Sequence, residues 1–265
     1  MNMLLSGPII AALFLLEQFI PAIVFMVLVV HWSSLADVDV YINKYDAFNF
    51  RSAKIRHTPY VVLVSIALRL NNLASRVSSR VKYIDRTGYS VSHRGITHTI
   101  WFAISVGVMA TLLAAVLTGI AVAGIVYAGY EQQGLELLGS AMEFGHPAVF
   151  FFSIFLAGFL SIIYHSLGDI VTPSGVGFLQ ADESISLDRF RFDNEFANRS
   201  VLLFGNISIL CGIGAPLLYI AGEIPLLFVI GGLVSIYFVF FPMWLILPRT
   251  RVGDWIIYIY DGLMK

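Results

Sequence analysis

The sequence predicts an all-α, polytopic membrane protein with five to six transmembrane helices plus an interfacial amphipathic helix. Two observations support this prediction. The 265 residues are 58% hydrophobic and only 12% charged, whereas soluble domains contain about 25% charged residues. The apolar residues also form long runs, close to the ~20 residues with which a helix crosses a bilayer. Residues 1–265 are predicted to form a single membrane-embedded domain.

The later part of the chain contains four apolar runs that are each long enough for one span. They are Ile96 to Tyr127, Ala148 to Val171, Ser200 to Ala221 and Ile224 to Leu247.

The start of the chain allows two interpretations. Met3 to Leu16 and Phe19 to Trp32 are both apolar, and Glu17, Gln18 and Pro21 interrupt them. Either one long helix runs across Glu17, or two short helices form a hairpin that breaks near Pro21. We favour the hairpin, because a proline after a polar pair commonly marks a helix break.

Residues 37–95 form a polar insertion between apolar spans and hold ten of the sixteen Lys and Arg residues. Within this insertion, Tyr60 to Leu70 is apolar, and Arg69, Asn71, Asn72 and Arg76 occur at helical spacings. That pattern predicts an amphipathic helix that lies at the interface or packs against the spans.

The distribution of charge predicts the orientation in the membrane. All sixteen basic residues lie in 37–95, in 172–199 or after Pro248, whereas 129–147 contains three glutamates and no basic residue. If the four later spans alternate in direction, every basic residue faces one side, which the positive-inside rule makes cytoplasmic. We therefore expect a multi-pass protein of the inner (cytoplasmic) membrane, with lipid as its environment. The net charge of −1 gives no indication of nucleic-acid binding.

Histidine and aspartate residues occur at the ends of the spans on the predicted cytoplasmic side. Ionisable residues at such positions are costly, which makes them candidates for function. His165 and Asp169 are four residues apart and would share one helix face. Imidazole and carboxylate ligands suit Zn²⁺, and also Mn²⁺ or Fe²⁺. The predicted ligands of a divalent metal, zinc first, are Asp37, Asp39, His93, His98, His165 and Asp169.

Neighbouring residues suggest further roles. Arg94 could pair with a phosphate, and Ser92 or Thr97 is available to cap the helix that follows. His31 is a candidate for a further ligand, although a structural role fits it better. His146 is excluded, because it lies in the loop without basic residues, on the opposite face.

Other functions remain open at this stage. Each of the His and Asp patterns alone is also explained by structural hydrogen bonds. An ion transporter could use the same residues as its pathway, but it needs polar groups near the bilayer midplane, where the candidates are Glu17, Asn206 and Ser208. A metal-binding membrane protein without turnover is the third possibility.

At these residues the sequence resembles the YdjM-type membrane-bound metal-dependent hydrolases, some of which are LexA-regulated inner-membrane proteins. Members carry a PDxDH-like segment, then HRGxTHS, then HxxxDxxTPxG. The corresponding strings here are Asp37-Val38-Asp39, His93 to Thr99, and His165 to Gly175, so the resemblance covers residues 30–205. The sequence departs from the pattern at Val40, where members have His, and at Ser6-Gly7, where many have Gly-His. One or two family ligands are therefore absent, or are replaced by His31 or His57.

The resemblance implies a metal-dependent hydrolase, distantly similar to the zinc-dependent phospholipase C and P1 nuclease group. By this analogy, phosphoester bonds of a lipid or amphiphilic substrate are the first candidates for cleavage. Thr97 and Thr172 would hydrogen-bond the ligands, as metal-ligating groups usually require. Arg94 would orient a phosphate.

Overall fold

The computed structural model describes residues 2–36, 59–78, 83, 96–130, 145–170, 177 and 195–245, with isolated positions between 131 and 144. Across these ranges the chain contains seven α-helices and no strand. The helices are α1 (Asn2–Leu15), α2 (Phe19–His31), α3 (Pro59–Val77), α4 (Ile100–Tyr127), α5 (Pro147–Ile170), α6 (Glu195–Ile220) and α7 (Leu226–Leu245). Short 3₁₀ turns occur at Trp32–Leu35 and Ile96–His98. The predicted all-helical fold is confirmed.

Among the residues that the structure describes, three stretches are long and apolar enough to cross a membrane: Ile100–Tyr127, Pro147–Asp169 and Leu203–Ile220. Shorter apolar stretches lie in α1, α2 and α7. The four later runs predicted from the sequence correspond to α4, α5, α6 and α7, with bounds that differ by a few residues. The total of five to six spans stays a prediction.

The first two helices are separate and contact each other, so the predicted hairpin is confirmed. The break lies at residues 16–18, between the two predicted runs and just before Pro21, which is the third residue of α2. A proline is tolerated there, since the first N–H groups of a helix have no acceptor within it. The chain turns at Glu17, which has a φ of 59°. The Glu17 N–H donates to the Phe14 carbonyl (2.9 Å), and the Gln18 N–H donates to the Leu13 carbonyl (2.8 Å). These bonds form a Schellman motif with a glutamate where glycine is usual.

The turn between α1 and α2 is attached to the beginning of α5. The His146 N–H donates to Gln18 Oε1 (2.7 Å), and His146 Nδ1 accepts from the Ala148 N–H (3.2 Å). His146 therefore caps α5, and Pro147 takes the first helical position, which suits proline. This turn and the start of α5 lie at one end of the molecule, whereas His165 and Asp169 lie at the other end of α5.

Helix α3 contacts α4 and the Ile96–His98 turn. Arg69 and Arg76 are exposed. The opposite face is buried at the i, i+3, i+4 spacing of an amphipathic helix, through Val64, Ala67, Leu68, Asn71 and Asn72. This helix was predicted either to lie at the interface or to pack against the spans. Its buried face packs against α4 and the Ile96–His98 turn, which agrees with the second placement.

Two helix pairs cross at very short distances. A Cβ atom added to Gly158 of α5 would lie 3.0 Å from Cα and 3.1 Å from N of Gly107 in α4. A Cβ atom on Gly212 of α6 would lie 2.7 Å from the Gly7 carbonyl oxygen of α1. Ser208 reinforces the second crossing by donating to the Leu4 carbonyl (2.7 Å). Small residues with side-chain to backbone hydrogen bonds are typical of helix packing in membranes, where close van der Waals contact replaces the hydrophobic effect.

A buried apolar cluster joins five segments near one end of α4 and α5. It contains Ala36 after the first 3₁₀ turn, Val64 of α3, Ile96 of the second 3₁₀ turn, Phe102 of α4 and Ile162 of α5. This cluster brings the Ile96–His98 turn against the C-terminal half of α5.

Candidate metal centre

The beginning of α4 is fixed by Thr99, which is its N-cap. Thr99 Oγ1 accepts from the Phe102 N–H (3.4 Å), and the hydroxyl donates to the Ile96 carbonyl (2.7 Å). The prediction that Ser92 or Thr97 caps this helix is wrong, because Thr99 is the N-cap and Thr97 lies inside the 3₁₀ turn, three residues before α4 begins. His98 consequently lies directly before the cap, on a turn that the cap holds closed.

The end of α5 provides two more polar side chains. His165 and Asp169 share one face of the helix, as their spacing predicts, with His165 Nε2 and Asp169 Oδ2 3.7 Å apart. The side chain of Asp169 is 8% exposed and that of His165 is 20% exposed. Asp169 is the last but one residue of α5, so this pair lies at the very end of an apolar helix.

His98 meets this pair from the neighbouring turn. His98 Nε2 lies 3.2 Å from Asp169 Oδ2, and its side chain is completely buried. The His98 and His165 rings are 5.3 Å apart between centroids. One ligand atom from each of His98, His165 and Asp169 lies within 4.8 Å of the others. Two segments that are distant in sequence therefore present three potential ligands to one point.

The other polar atoms of His98 are held by neighbours. Its Nδ1 lies 3.0 Å from Thr97 Oγ1, and whichever of the two groups donates, this contact orients the ring with Nε2 toward Asp169. The Ser166 hydroxyl donates to the His98 main-chain carbonyl (2.8 Å) across the gap between α5 and the turn. Sequence reasoning overlooked Ser166. Nothing in its local pattern predicts a bond to a residue 68 positions away.

The geometry of this group fits a divalent metal ion. With bonds of about 2.1 Å, tetrahedral ligand atoms lie about 3.4 Å apart, and the two His–Asp separations are 3.2 and 3.7 Å. Imidazole nitrogen and carboxylate oxygen suit zinc, manganese and iron. Three protein ligands would leave a position for water or substrate, as in catalytic zinc sites. His98, His165 and Asp169 could therefore hold a metal ion.

The remaining predicted site residues are not all described. Asp37, Asp39, His93, Arg94 and Thr172 lie outside the described residues, as does His57. His31 is an exposed residue at the end of α2, and the three-residue group does not include it. Ala36, the residue before Asp37, is fully buried in the same apolar cluster as Ile96.

The family to which the chain belongs follows from a match to the model of the YdjM inner membrane proteins over residues 4–245. The chain belongs to the YdjM family. No curated protein and no solved structure matches it at a comparable level. The match to the YdjM family covers all three residues of the metal-binding group. It covers α2 to α7 completely and α1 from Leu4 onward. The family description places YdjM proteins in the inner membrane, and the three membrane-capable helices agree with that location.

Proposed function

We propose that this protein is a membrane-bound, metal-dependent hydrolase that acts on phosphoester bonds of a lipid or other amphiphile at the cytoplasmic face. The observation that carries the proposal is the convergence of His98, His165 and Asp169 at the ends of two apolar helices. A buried set of imidazole and carboxylate groups is expensive to keep in a membrane protein without a function.

The metal that suits this set best is Zn²⁺, with Mn²⁺ and Fe²⁺ as alternatives. When bound, such an ion acts as a Lewis acid toward water and toward a phosphoryl oxygen. Asp37, Asp39 and His93 are proposed as additional ligands.

Three polar residues around the ligands have proposed roles. Thr97 orients the His98 ring through the 3.0 Å contact at Nδ1. Thr172 is expected to hydrogen-bond a ligand from the segment after α5, since outer partners of this kind fix metal-binding side chains. Arg94 is expected to pair with the phosphate of the substrate, because a guanidinium binds phosphate with two parallel hydrogen bonds.

The depth of the centre suggests the class of substrate. His98 lies two residues before α4, and Asp169 ends the membrane-capable part of α5. Groups at the end of an apolar helix lie near the headgroups, where a phospholipid presents its phosphoester. The clustering of all sixteen basic residues in segments predicted to share one side supports the cytoplasmic face.

A transporter is less well supported. Of the three residues that could have formed a midplane pathway, Glu17 lies in the exposed turn after α1, and Asn206 has an exposed side chain. Ser208 donates its hydroxyl to the Leu4 carbonyl at the crossing of α1 and α6. Two of these side chains are therefore exposed rather than buried between helices, and the hydrogen bond of the third explains it without an ion.

The proposal is tested by measuring metal content and hydrolysis on the same preparations. The wild-type protein, His98→Ala, Asp169→Ala and the control His146→Asn are purified in detergent. Metals are measured by mass spectrometry, and hydrolysis is measured with a chromogenic phosphodiester and with phospholipid vesicles. His146→Asn retains a side chain that can cap α5, and it lies at the far end of that helix.

We expect the wild type and His146→Asn to retain metal and activity, and both site variants to lose them. Bound metal without hydrolysis of either substrate would instead identify a metal-binding protein without turnover. A wild type that contains and binds no divalent metal would refute the proposal, and the contact between His98 and Asp169 would then be a structural ion pair.

A further inference from the structure

The metal-binding group is assembled from two pieces whose relative position needs an explanation. His165 and Asp169 are fixed to each other by α5, on which they are four residues apart. His98 belongs to a 3₁₀ turn that precedes α4. A metal site tolerates errors of only about 0.5 Å in the position of its ligands. Something must therefore hold the turn in register with α5 to that accuracy.

Ser166 is placed to do this. It follows His165 directly, it is fully buried, and its hydroxyl donates to the His98 carbonyl at 2.8 Å. The bond thus joins the neighbour of one potential ligand to the main chain of another.

The bond made by Ser166 differs from those of other hydroxyl groups in the same helices. Ser105 donates to the Trp101 carbonyl, Thr111 to the Gly107 carbonyl, and Ser161 to the Gly158 carbonyl, each three or four residues earlier. Such bonds within a helix are the usual choice for serine and threonine. Ser166 makes its bond to another segment instead.

The acceptor lies outside the hydrogen-bond ladder of the helix that follows. Thr99, the N-cap, provides the first carbonyl of the α4 ladder, which accepts from the Phe102 and Ala103 N–H groups. The His98 carbonyl lies one residue earlier and so is outside that ladder. Buried main-chain carbonyls are nearly always hydrogen-bonded, and Ser166 supplies the bond here.

We infer that Ser166 is a positioning residue for the metal centre, which locks the turn that carries His98 to the helix that carries His165 and Asp169. The inference rests on the proposed function, because it assigns Ser166 a task only if the three residues bind a metal. Loss of the hydroxyl leaves all three ligands in place and releases the His98 main chain, so the ligand set is intact but less well arranged.

The test is a Co²⁺ titration of the full-length protein in detergent, followed by visible absorption, for the wild type, Ser166→Ala, Ser166→Thr and Ser161→Ala. Ser161→Ala is the matched control, because it removes a buried serine hydroxyl from the same helix whose bond stays within α5. The thermal unfolding of each protein without metal is measured in parallel. The absorption spectrum of bound Co²⁺ depends directly on the geometry of its ligands. A general loss of protein stability would not change that spectrum.

We expect Ser166→Ala to bind Co²⁺ about ten to a hundred times more weakly than the wild type, as loss of outer-shell partners does elsewhere, with a changed absorption spectrum. Ser166→Thr should recover the wild-type spectrum, and Ser161→Ala should bind within about twofold of the wild type, since outer-shell effects require a contact with a ligand. Equal affinity and spectrum in Ser166→Ala and the wild type would overturn the inference alone. Equal losses in Ser166→Ala and Ser161→Ala would also overturn it. A wild type that binds no Co²⁺ would overturn the proposed function, and the inference with it.

Discussion

The crossing of α4 and α5 can be tested by adding one methyl group. In Gly158→Ala the new Cβ would lie 3.0 Å from Gly107 Cα, 3.1 Å from Gly107 N and 3.2 Å from the Val106 carbonyl carbon. Relaxed carbon contacts are about 3.5–4.0 Å, so the helices must separate by roughly half an ångström or more. The atoms in the way are main chain, which cannot rotate aside as the end of a flexible side chain would.

The expected cost follows from two opposing effects. Overpacking of this kind costs about 1–3 kcal/mol, and alanine recovers up to about 1 kcal/mol of helix propensity relative to glycine. Relative to a Gly→Ala substitution that gains the same propensity without a clash, Gly158→Ala should be less stable by about 1–3 kcal/mol, or roughly 5- to 150-fold in the unfolding equilibrium. The assay is equilibrium unfolding in mixed micelles, followed by tryptophan fluorescence.

The controls are Gly119→Ala and Gly124→Ala in α4, where an added Cβ meets nothing within 4 Å. Both should be neutral or slightly stabilising, because they gain propensity without a clash. If Gly158→Ala is as stable as these controls, the close backbone contact between α4 and α5 does not exist, and the reasoning from it fails.

Two further substitutions test local features. Glu17→Gly should stabilise the protein by about 1 kcal/mol, because glycine adopts the left-handed conformation of the α1–α2 turn without the Cβ clash; Glu17→Ala, which keeps the Cβ, should show no such gain in micelle unfolding. Thr97→Val should weaken Zn²⁺ binding about tenfold by removing the contact to His98 Nδ1, whereas Thr97→Ser should bind normally in a competition titration with a chromophoric chelator. Unchanged binding in Thr97→Val would show that the His98 ring is oriented by other contacts.

The local parts of the fold and of the site could be predicted from the sequence. Apolar runs fixed the positions of α4, α5, α6 and α7 to within a few residues, because membrane-spanning helices depend on length and composition more than on context. The pairing of His165 with Asp169 was predictable for a similar reason, since i, i+4 residues share a face in any helix.

Other features depend on contacts that a local pattern does not contain. The sequence indicated a break near Pro21 but not which residue makes the turn, which is Glu17, a residue type with little preference for positive φ. Ser92, Thr97 and Thr99 all precede α4 and carry side chains that can cap a helix. Only the path of the chain makes Thr99 the N-cap. The bond from Ser166 to His98 joins residues 68 positions apart, and a helical serine ordinarily bonds to its own helix.

The α4–α5 pair has a consequence for the synthesis of the protein. The three residues whose ligand atoms converge all lie between Ile96 and Ile170, on α5 and on the turn that precedes α4, and these two helices contact each other. Chains emerge from the ribosome with the N-terminal part first, and early units can fold while later ones are still being translated. The three potential ligands can therefore meet before α6 and α7 have packed against the earlier helices. Once translation has moved the end of α5 out of the ribosome, the nascent chain presents all three, so the last two helices join a group of potential ligands to which they contribute none.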